Sequence, residues 1–262
     1  MPLNILLTND DGIFAPGLRA LLEELRHVGN VTVVAPATEQ SAVGHSITLM
    51  QPLLVQEVFD EHHQRIGWGV EGRPADCVKL AITQLLPQRP DLVVSGINAG
   101  SNAGINVLYS GTVAAAIEGA FFGITSIAVS LEYKKPPRLN FPKAAVLGRQ
   151  MVEQILAQQP RAGELFNVNI PALDDGPPLG VKVAAQGTAP YDEKYDRRTD
   201  PRGRTYFWIA SDVNCPPDVG ESDVRDLANR FITVTPLHFN LTDPVRLQQM
   251  NTWPWTTPTL PT

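Results

Sequence analysis

Several things are scarce or missing in this 262-residue sequence, and each absence removes a class of protein. There are two cysteines, Cys77 and Cys215, far apart and in no Cys-x-x-Cys pair. That argues against a disulfide framework or a cysteine zinc site and suits ordinary thiols in a reducing compartment. No Lys/Arg-rich run occurs and the formal net charge is −6, so a groove for a nucleic-acid duplex is not expected. Small anions remain open, because a metal ion or a helix N-terminus binds them without net positive charge. The longest apolar region, Val113 to Val129, is interrupted by Glu118, Gly119 and Gly123. It reads as a buried helix and strand, and no membrane association is expected. The N-terminus shows no basic segment, apolar core and cleavage site in series, so the expected location is cytoplasmic. No Gly-x-Gly-x-x-Gly follows the first apolar run, against a dinucleotide-dependent oxidoreductase. No Asp-x-Asp stands there either, against an aspartyl-phosphate route.

What is present is the alternation of an α/β chain. Residues 3–8 (LNILLT) form the short apolar run of a buried parallel strand. Pro16 to Arg26 carries leucines at helical spacing with proline at its start, and Val31 to Val34 is the next strand. A β–α–β beginning implies a right-handed crossover and a parallel sheet. Residues 47–58 alternate and predict paired strands. Helices are predicted over Pro74–Leu86, Ser110–Phe122 and Phe141–Gln158, and strands over Asp91–Asn98, Ser126–Leu131 and Glu164–Ile170. The pattern changes after Pro171. Residues 171–205 are rich in Pro, Gly and charge, flanked by strand-like runs at 181–185 and 205–210, and predict a protruding β-hairpin arm. A short helix at Ser222–Asn229 and a last strand at Arg230–Pro236 follow. The expected class is α/β: a Rossmann-like, mostly parallel sheet with helices on both faces. The expected organisation is a catalytic core over residues 1–175, a hairpin arm and C-terminal helix and strand for subunit contacts over 176–250, and a loose Pro-rich tail over 251–262.

In an open parallel sheet, ligands sit beyond the carboxyl ends of the strands. Three such ends are polar here. The first strand runs into Asn9, Asp10 and Asp11; the second is followed by Thr38, Gln40 and Ser41; the third delivers Asn98, Gly100 and Asn102. Adjacent carboxylates raise each other's pKa unless something positive lies between them. Gly12 permits the sharp turn that lets both reach one point. Two carboxylates with the Ser41 hydroxyl and the Asn98 amide form an all-oxygen donor set, which suits Mg²⁺ or Mn²⁺. Tyr109-Ser-Gly-Thr-Val113 begins a helix of small residues: Ser110 and Thr112 can cap it, and Gly111 lets an anion approach its free N–H groups. A metal facing an anion-ready helix end suggests phosphate ester chemistry. Each piece alone is an ordinary turn or cap; their arrival at matching strand ends gives them weight.

Five blocks in order, NILLTNDDGIFAPGLRAL, VVAPATEQSAVGHSIT, GRPADCVKLA, DLVVSGINAGSNAG and YSGTVAAAIEG, resemble the SurE family of stationary-phase survival proteins, which are metal-dependent nucleoside-monophosphate phosphatases. The resemblance implies hydrolysis of nucleoside 5′- or 3′-monophosphates, one divalent metal (Mg²⁺ or Mn²⁺) per subunit, and a homodimer or homotetramer. It implies that Asp10, Asp11, Ser41 and Asn98 hold the metal. Asn102, Ser110, Gly111 and Thr112 would surround the phosphate, and Asp10, Asp11 and Asn102 would be catalytic. Either aspartate could assist proton transfer. Gly72-Arg73-Pro74 departs from the family's Gly-Thr-Pro, and Gln40 stands where many members have Arg. His45 has two open readings, a substrate contact or a solvated loop residue. Tyr191, Tyr195 and Arg197 of the arm are candidates for reaching a neighbouring subunit's nucleotide.

Overall fold

The computed structural model describes residues 2–134, 139–189, 194–209 and 220–258. Cys215 and Tyr191 lie outside the described residues. The chain opens with β1 (Leu3–Thr8), α1 (Pro16–Leu25) and β2 (Gly29–Pro36). In β1, Ile5 and Leu7 join one apolar cluster and Leu6 another, because successive side chains leave opposite faces of a strand. Both faces are covered, which is why the run is apolar throughout. Helix α1 buries Leu18, Leu21, Leu22 and Leu25. At roughly 1.5–3 kcal/mol per buried leucine, that stripe holds the preceding turn firmly to the sheet.

Next come β3 (Val55–Phe59), β4 (Arg65–Val70), α2 (Pro74–Leu80), β5 (Leu92–Ala99), α3 (Gly111–Phe121), β6 (Thr125–Leu131), α4 (Phe141–Ala157) and β7 (Leu165–Ile170). After β8 (Val181–Val183) follow β9 (Tyr195–Thr199), β10 (Thr205–Ile209), α5 (Asp223–Ala228), β11 (Ile232–Leu237) and α6 (Pro244–Met250). Among the described residues, one nine-stranded sheet has the order β3-β4-β2-β1-β5-β6-β7-β11-β8. The run from β4 to β7 is parallel; β3 pairs antiparallel with β4, and β11 antiparallel with β7. Helices α1 and α4 cover one face, and α2 and α3 the other. The fold is the expected mostly parallel α/β sheet with helices on both faces. The chain winds outward from β1 in both directions, so the crevice between the ends of β1 and β5 is a topological switch point.

Four expectations differ from the structure. Residues 47–54 are not strand: Ile47, Leu49, Met50 and Leu54 are exposed, and the Thr48 N–H goes to the Asp76 carboxylate at 3.1 Å instead of a neighbouring strand. The helix predicted to reach Leu86 ends at Leu80 and is continued by a π-helical turn, Ala81–Leu85. The run at 181–185 is not an arm strand. It is β8, paired in parallel with β11 at the sheet edge, so the sheet draws on residues well beyond 175. The arm hairpin is β9 against β10, and its first strand lies inside the charged run. Both of its faces are exposed, so charge at alternate positions does not oppose pairing there. Residues 251–258 lack regular structure and lie against α6: the Trp255 Nε1–H donates to the Met250 carbonyl at 2.8 Å, and Arg246 lies over the Trp253 ring. Among the described residues, no helix is long and apolar enough to cross a membrane.

Candidate active site

The turn after β1 is clamped from several sides. Gly12 has φ +99°, a conformation that favours glycine. The Asn9 side-chain amide donates to the Gly12 carbonyl at 2.9 Å, the Ile13 N–H to Pro36 O at 2.9 Å, and the Gln40 N–H to Asp10 O at 2.8 Å. This holds Asp10 almost fully buried and Asp11 half-buried. Asp10 Oδ1 accepts from the Thr112 hydroxyl, and the Thr112 backbone also hydrogen-bonds this carboxylate. Gly111 packs against the same acid: a Cβ there would stand 2.8 Å from Asp10 Cβ. Burial pushes the Asp10 carboxyl up to about 6; the Thr112 hydroxyl opposes the rise and the Asp11 charge adds to it. Burial also raises Asp11, against the Ala99 N–H that donates to its Oδ2 at 3.2 Å, and the Glu39 charge adds to the rise. Two adjacent acids, one buried and one half-buried, held up in this way form a site that a cation would relieve.

A cavity of about 430 Å³ opens at the carboxyl ends of β1, β5 and β6. Asp10, Asp11, Ser41, Asn98, Asn102 and Ser110 all line it. Asn98 donates through Nδ2 to Gly100 O at 2.8 Å, which leaves its Oδ1 as an acceptor. Ser41, on the exposed loop after β2, donates to Glu39. The Ser110 Oγ accepts from the Val113 N–H at 3.0 Å and caps α3, keeping its own hydroxyl proton for the cavity. Gly111 and Thr112 lie behind this front, where Thr112 is fully buried and spends its hydroxyl on Asp10. Thr112 therefore holds the acid and is not itself on the cavity wall. The donor chemistry fits a hard cation: two carboxylates, a hydroxyl and an amide oxygen. Among the described residues, no three His, Cys, Asp or Glu side chains converge as a metal cluster, so the neutral oxygens would have to complete the shell.

Sequence reasoning missed the supports behind this front. Asn169 Oδ1 accepts from the Asn102 N–H at 2.8 Å, the Asn167 Nδ2 donates to Asn102 O at 2.7 Å, and Asn102 donates through its own Nδ2 to Ser130 Oγ at 2.9 Å. A signal existed: Phe166-Asn-Val-Asn-Ile170 places two asparagines on one face of an otherwise apolar strand. Asn169→Ala strands the buried Asn102 N–H, and an unsatisfied buried donor costs about 1–3 kcal/mol. The expected result is an unfolding free energy lowered by that amount, read as a lower urea midpoint at unchanged m-value by far-UV circular dichroism.

His45 is neither free in solvent nor on the cavity wall. Its Nε2 lies 2.7 Å from Oε1 of buried Glu118 on α3, which also takes Lys79 Nζ at 3.3 Å. With the Gly44 N–H donating to Tyr109 O at 2.9 Å, this ties the Ser41 loop to the start of α3. Arg73 and Gln40 meet one another: the Arg73 guanidinium donates to the Gln40 side chain.

Comparison with known proteins agrees with this architecture. Residues 5–193 match the family model described as Survival protein SurE. A 5′-nucleotidase SurE of Rhodopirellula baltica is 51% identical over 96% of this chain and 98% of its own length. One from Heliobacterium modesticaldum is 44% identical over 96% of this chain and 92% of its own. The crystal structure of the SurE protein from Aquifex aeolicus superposes with a TM-score of 0.80 at 37% identity, covering 95% of this chain and 98% of that one.

Proposed function

The chain belongs to the SurE family, and from that premise we propose that it is a metal-dependent nucleotidase hydrolysing nucleoside 5′- and 3′-monophosphates to nucleoside and phosphate. The observation that carries this reading is the Asp10–Asp11 pair, one buried and one half-buried, sharing one cavity with the Ser110 hydroxyl and the Asn102 amide. Asp10, Asp11, Ser41 and Asn98 would hold one divalent ion, Mg²⁺ or Mn²⁺, per subunit. Such an ion supplies Lewis-acid polarisation of the phosphoryl group and a more acidic water. Ser110 and the second Nδ2 proton of Asn102 donate to the phosphoryl oxygens, and the Gly111 amide at the start of α3 adds helix-end potential. Thr112 fixes the Asp10 carboxylate in place. Among the described residues Asp11 accepts one hydrogen bond, at Oδ2, which supports its Oδ1 as the atom that would take the proton of the attacking water. Exposed Phe207, Trp208 and Ile209 on the hairpin support a homo-oligomer built through the arm.

The test is phosphate release from a panel of 5′- and 3′-nucleoside monophosphates by metal-stripped protein, with and without added Mg²⁺ or Mn²⁺. Turnover should require metal. Asp11→Asn should lower kcat by about 10²–10⁴-fold, the range for a positioned general base. Nucleotide binding without turnover under either metal would replace this reading with a non-catalytic nucleotide sensor.

A further inference from the structure

Across the cavity from the aspartate pair, the wall carries a carboxylate that the phosphate chemistry does not use, Glu132. Glu132 follows β6, whose last residue, Leu131, pairs with Ala99 of β5 and accepts from the Gly100 N–H at 2.9 Å. Strand β6 is the second neighbour of β1. At roughly 4.8 Å per strand, Glu132 stands about 10 Å along the cavity from the aspartate pair. The charges agree with that separation. Asp10 and Asp11 are perturbed by each other's side of the site, through Asp11 and Glu39 respectively, whereas the charge acting on Glu132 is that of Lys134.

Glu132 is half-buried, and burial raises its pKa. Its Oε2 accepts from the Ala172 N–H at 3.2 Å, which orients the carboxylate; Oε1 takes no hydrogen bond among the described residues. Tyr133 lies beside it on the same wall, its ring 3.5 Å from where a Gly100 Cβ would stand. A carboxylate here repels a phosphate and stands too far from Asp10 to share its ion. What it can bind is a neutral donor at the far end of a ligand whose phosphate sits over β1. A pair of sugar hydroxyls is such a donor, and an acidic side chain on ribose hydroxyls is a recurrent solution in α/β nucleotide sites.

We propose that Glu132 reads the sugar: its carboxylate accepts hydrogen bonds from the 2′- and 3′-hydroxyls of a bound nucleoside 5′-monophosphate and selects it over the 2′-deoxy 5′-monophosphate and over phosphate esters without ribose hydroxyls. This rests on the nucleotidase reading and goes beyond it by assigning a specificity residue.

The experiment compares the wild-type holoenzyme with Glu132→Gln and Glu132→Ala on AMP, 2′-deoxy-AMP and p-nitrophenyl phosphate, with adenosine binding to the metal-free proteins by calorimetry. Glu132→Ala should raise KM for AMP by about ten- to a hundredfold, the loss of hydrogen bonds to a charged acceptor, with kcat within about twofold. Adenosine affinity should fall in parallel, 2′-deoxy-AMP should be affected less, and kcat/KM for p-nitrophenyl phosphate should not move. Glu132→Gln, which keeps an acceptor oxygen, should fall between. An equal loss on all three substrates would assign Glu132 to the phosphate or metal and overturn the proposal, as would no loss on any. A wild type that cleaves p-nitrophenyl phosphate but no nucleotide removes the nucleotidase reading and this proposal together. A nucleotide-active wild type with a flat Glu132 response removes this proposal alone.

Discussion

Asp10→Asn is expected to abolish turnover and, in the absence of metal, to make the protein more stable at neutral pH. Burial holds the native Asp10 carboxyl protonated up to about pH 6, whereas its ordinary value is 3.8. Between these values the native state carries one more proton than the unfolded chain. Stability therefore falls as pH rises from about 4 to about 6 and stays lowered above that. A shift of about two units corresponds to about 3 kcal/mol at most. Asp11 is raised as well, in the same direction. An amide at position 10 removes the buried charge while its oxygen can still accept from Thr112. The metal-free variant should therefore gain about 1–3 kcal/mol at pH 7, several degrees of Tm in a chain of this size, and nothing at pH 4.

Thermal melts in chelator from pH 4 to pH 8 check this. A variant less stable than wild type at pH 7 would mean that lost hydrogen bonding outweighs relieved burial. Metal reverses the ranking. Mg²⁺ or Mn²⁺ should stabilise the wild type by mass action and leave the variant unmoved. Below about pH 6 the ion must displace a proton from Asp10, so apparent affinity should fall by roughly tenfold per pH unit. A site that is unstable empty and stable filled is the usual exchange of stability for function.

The parts of this molecule that were legible in the sequence are those written locally. The apolar run of β1, the leucine spacing of α1, the Asp-Asp-Gly turn and the Ser110 cap each depend on neighbours a few residues away, and each has its own periodicity or composition. The parts that were not legible are long-range polar pairings. Thr112 reaches Asp10, Asn169 reaches Asn102, and Glu118 reaches His45 across 102, 67 and 73 positions respectively. Nothing in a threonine one residue into a helix says that its hydroxyl turns to the carboxylate of a residue so distant in the chain. Residues 181–185 and 195–199 depart from the expected pattern for the opposite reason. A short apolar run at a sheet edge and a charged strand exposed on both faces reverse the usual link between hydrophobicity and strand placement.

Gly111→Ala should separate the site from the fold. A Cβ at this position would stand 2.8 Å from Asp10 Cβ, 2.9 Å from Asp10 Oδ2 and 3.1 Å from Pro74 Cγ. These are not the free ends of flexible side chains. Asp10 is held by Gln40 at its carbonyl and by Thr112 at its carboxylate, and Pro74 opens α2. The two contributions to stability oppose each other. Alanine is favoured over glycine in a helix by up to about 1 kcal/mol, and overpacking costs about 1–3 kcal/mol, so the net change should be a loss between about 0 and 3 kcal/mol. The effect on function is not offset. The carboxylate has to move by a large fraction of an ångström, and a misplacement of about 1 Å can cost about a hundredfold in rate. The control lies on the same helix: a Cβ at Gly119 would stand 2.3 Å from Ser126 Oγ and 2.8 Å from Val93 Cγ2, at the end away from the cavity. Gly119→Ala should cost more stability and less activity than Gly111→Ala. Metal affinity, kcat/KM and melting temperature measured on both variants decide the matter. If Gly111→Ala kept its metal affinity and rate while losing stability as Gly119→Ala does, the contact between α3 and Asp10 would be packing alone, and the assignment of Asp10 to the reacting end of the cavity would fall with it.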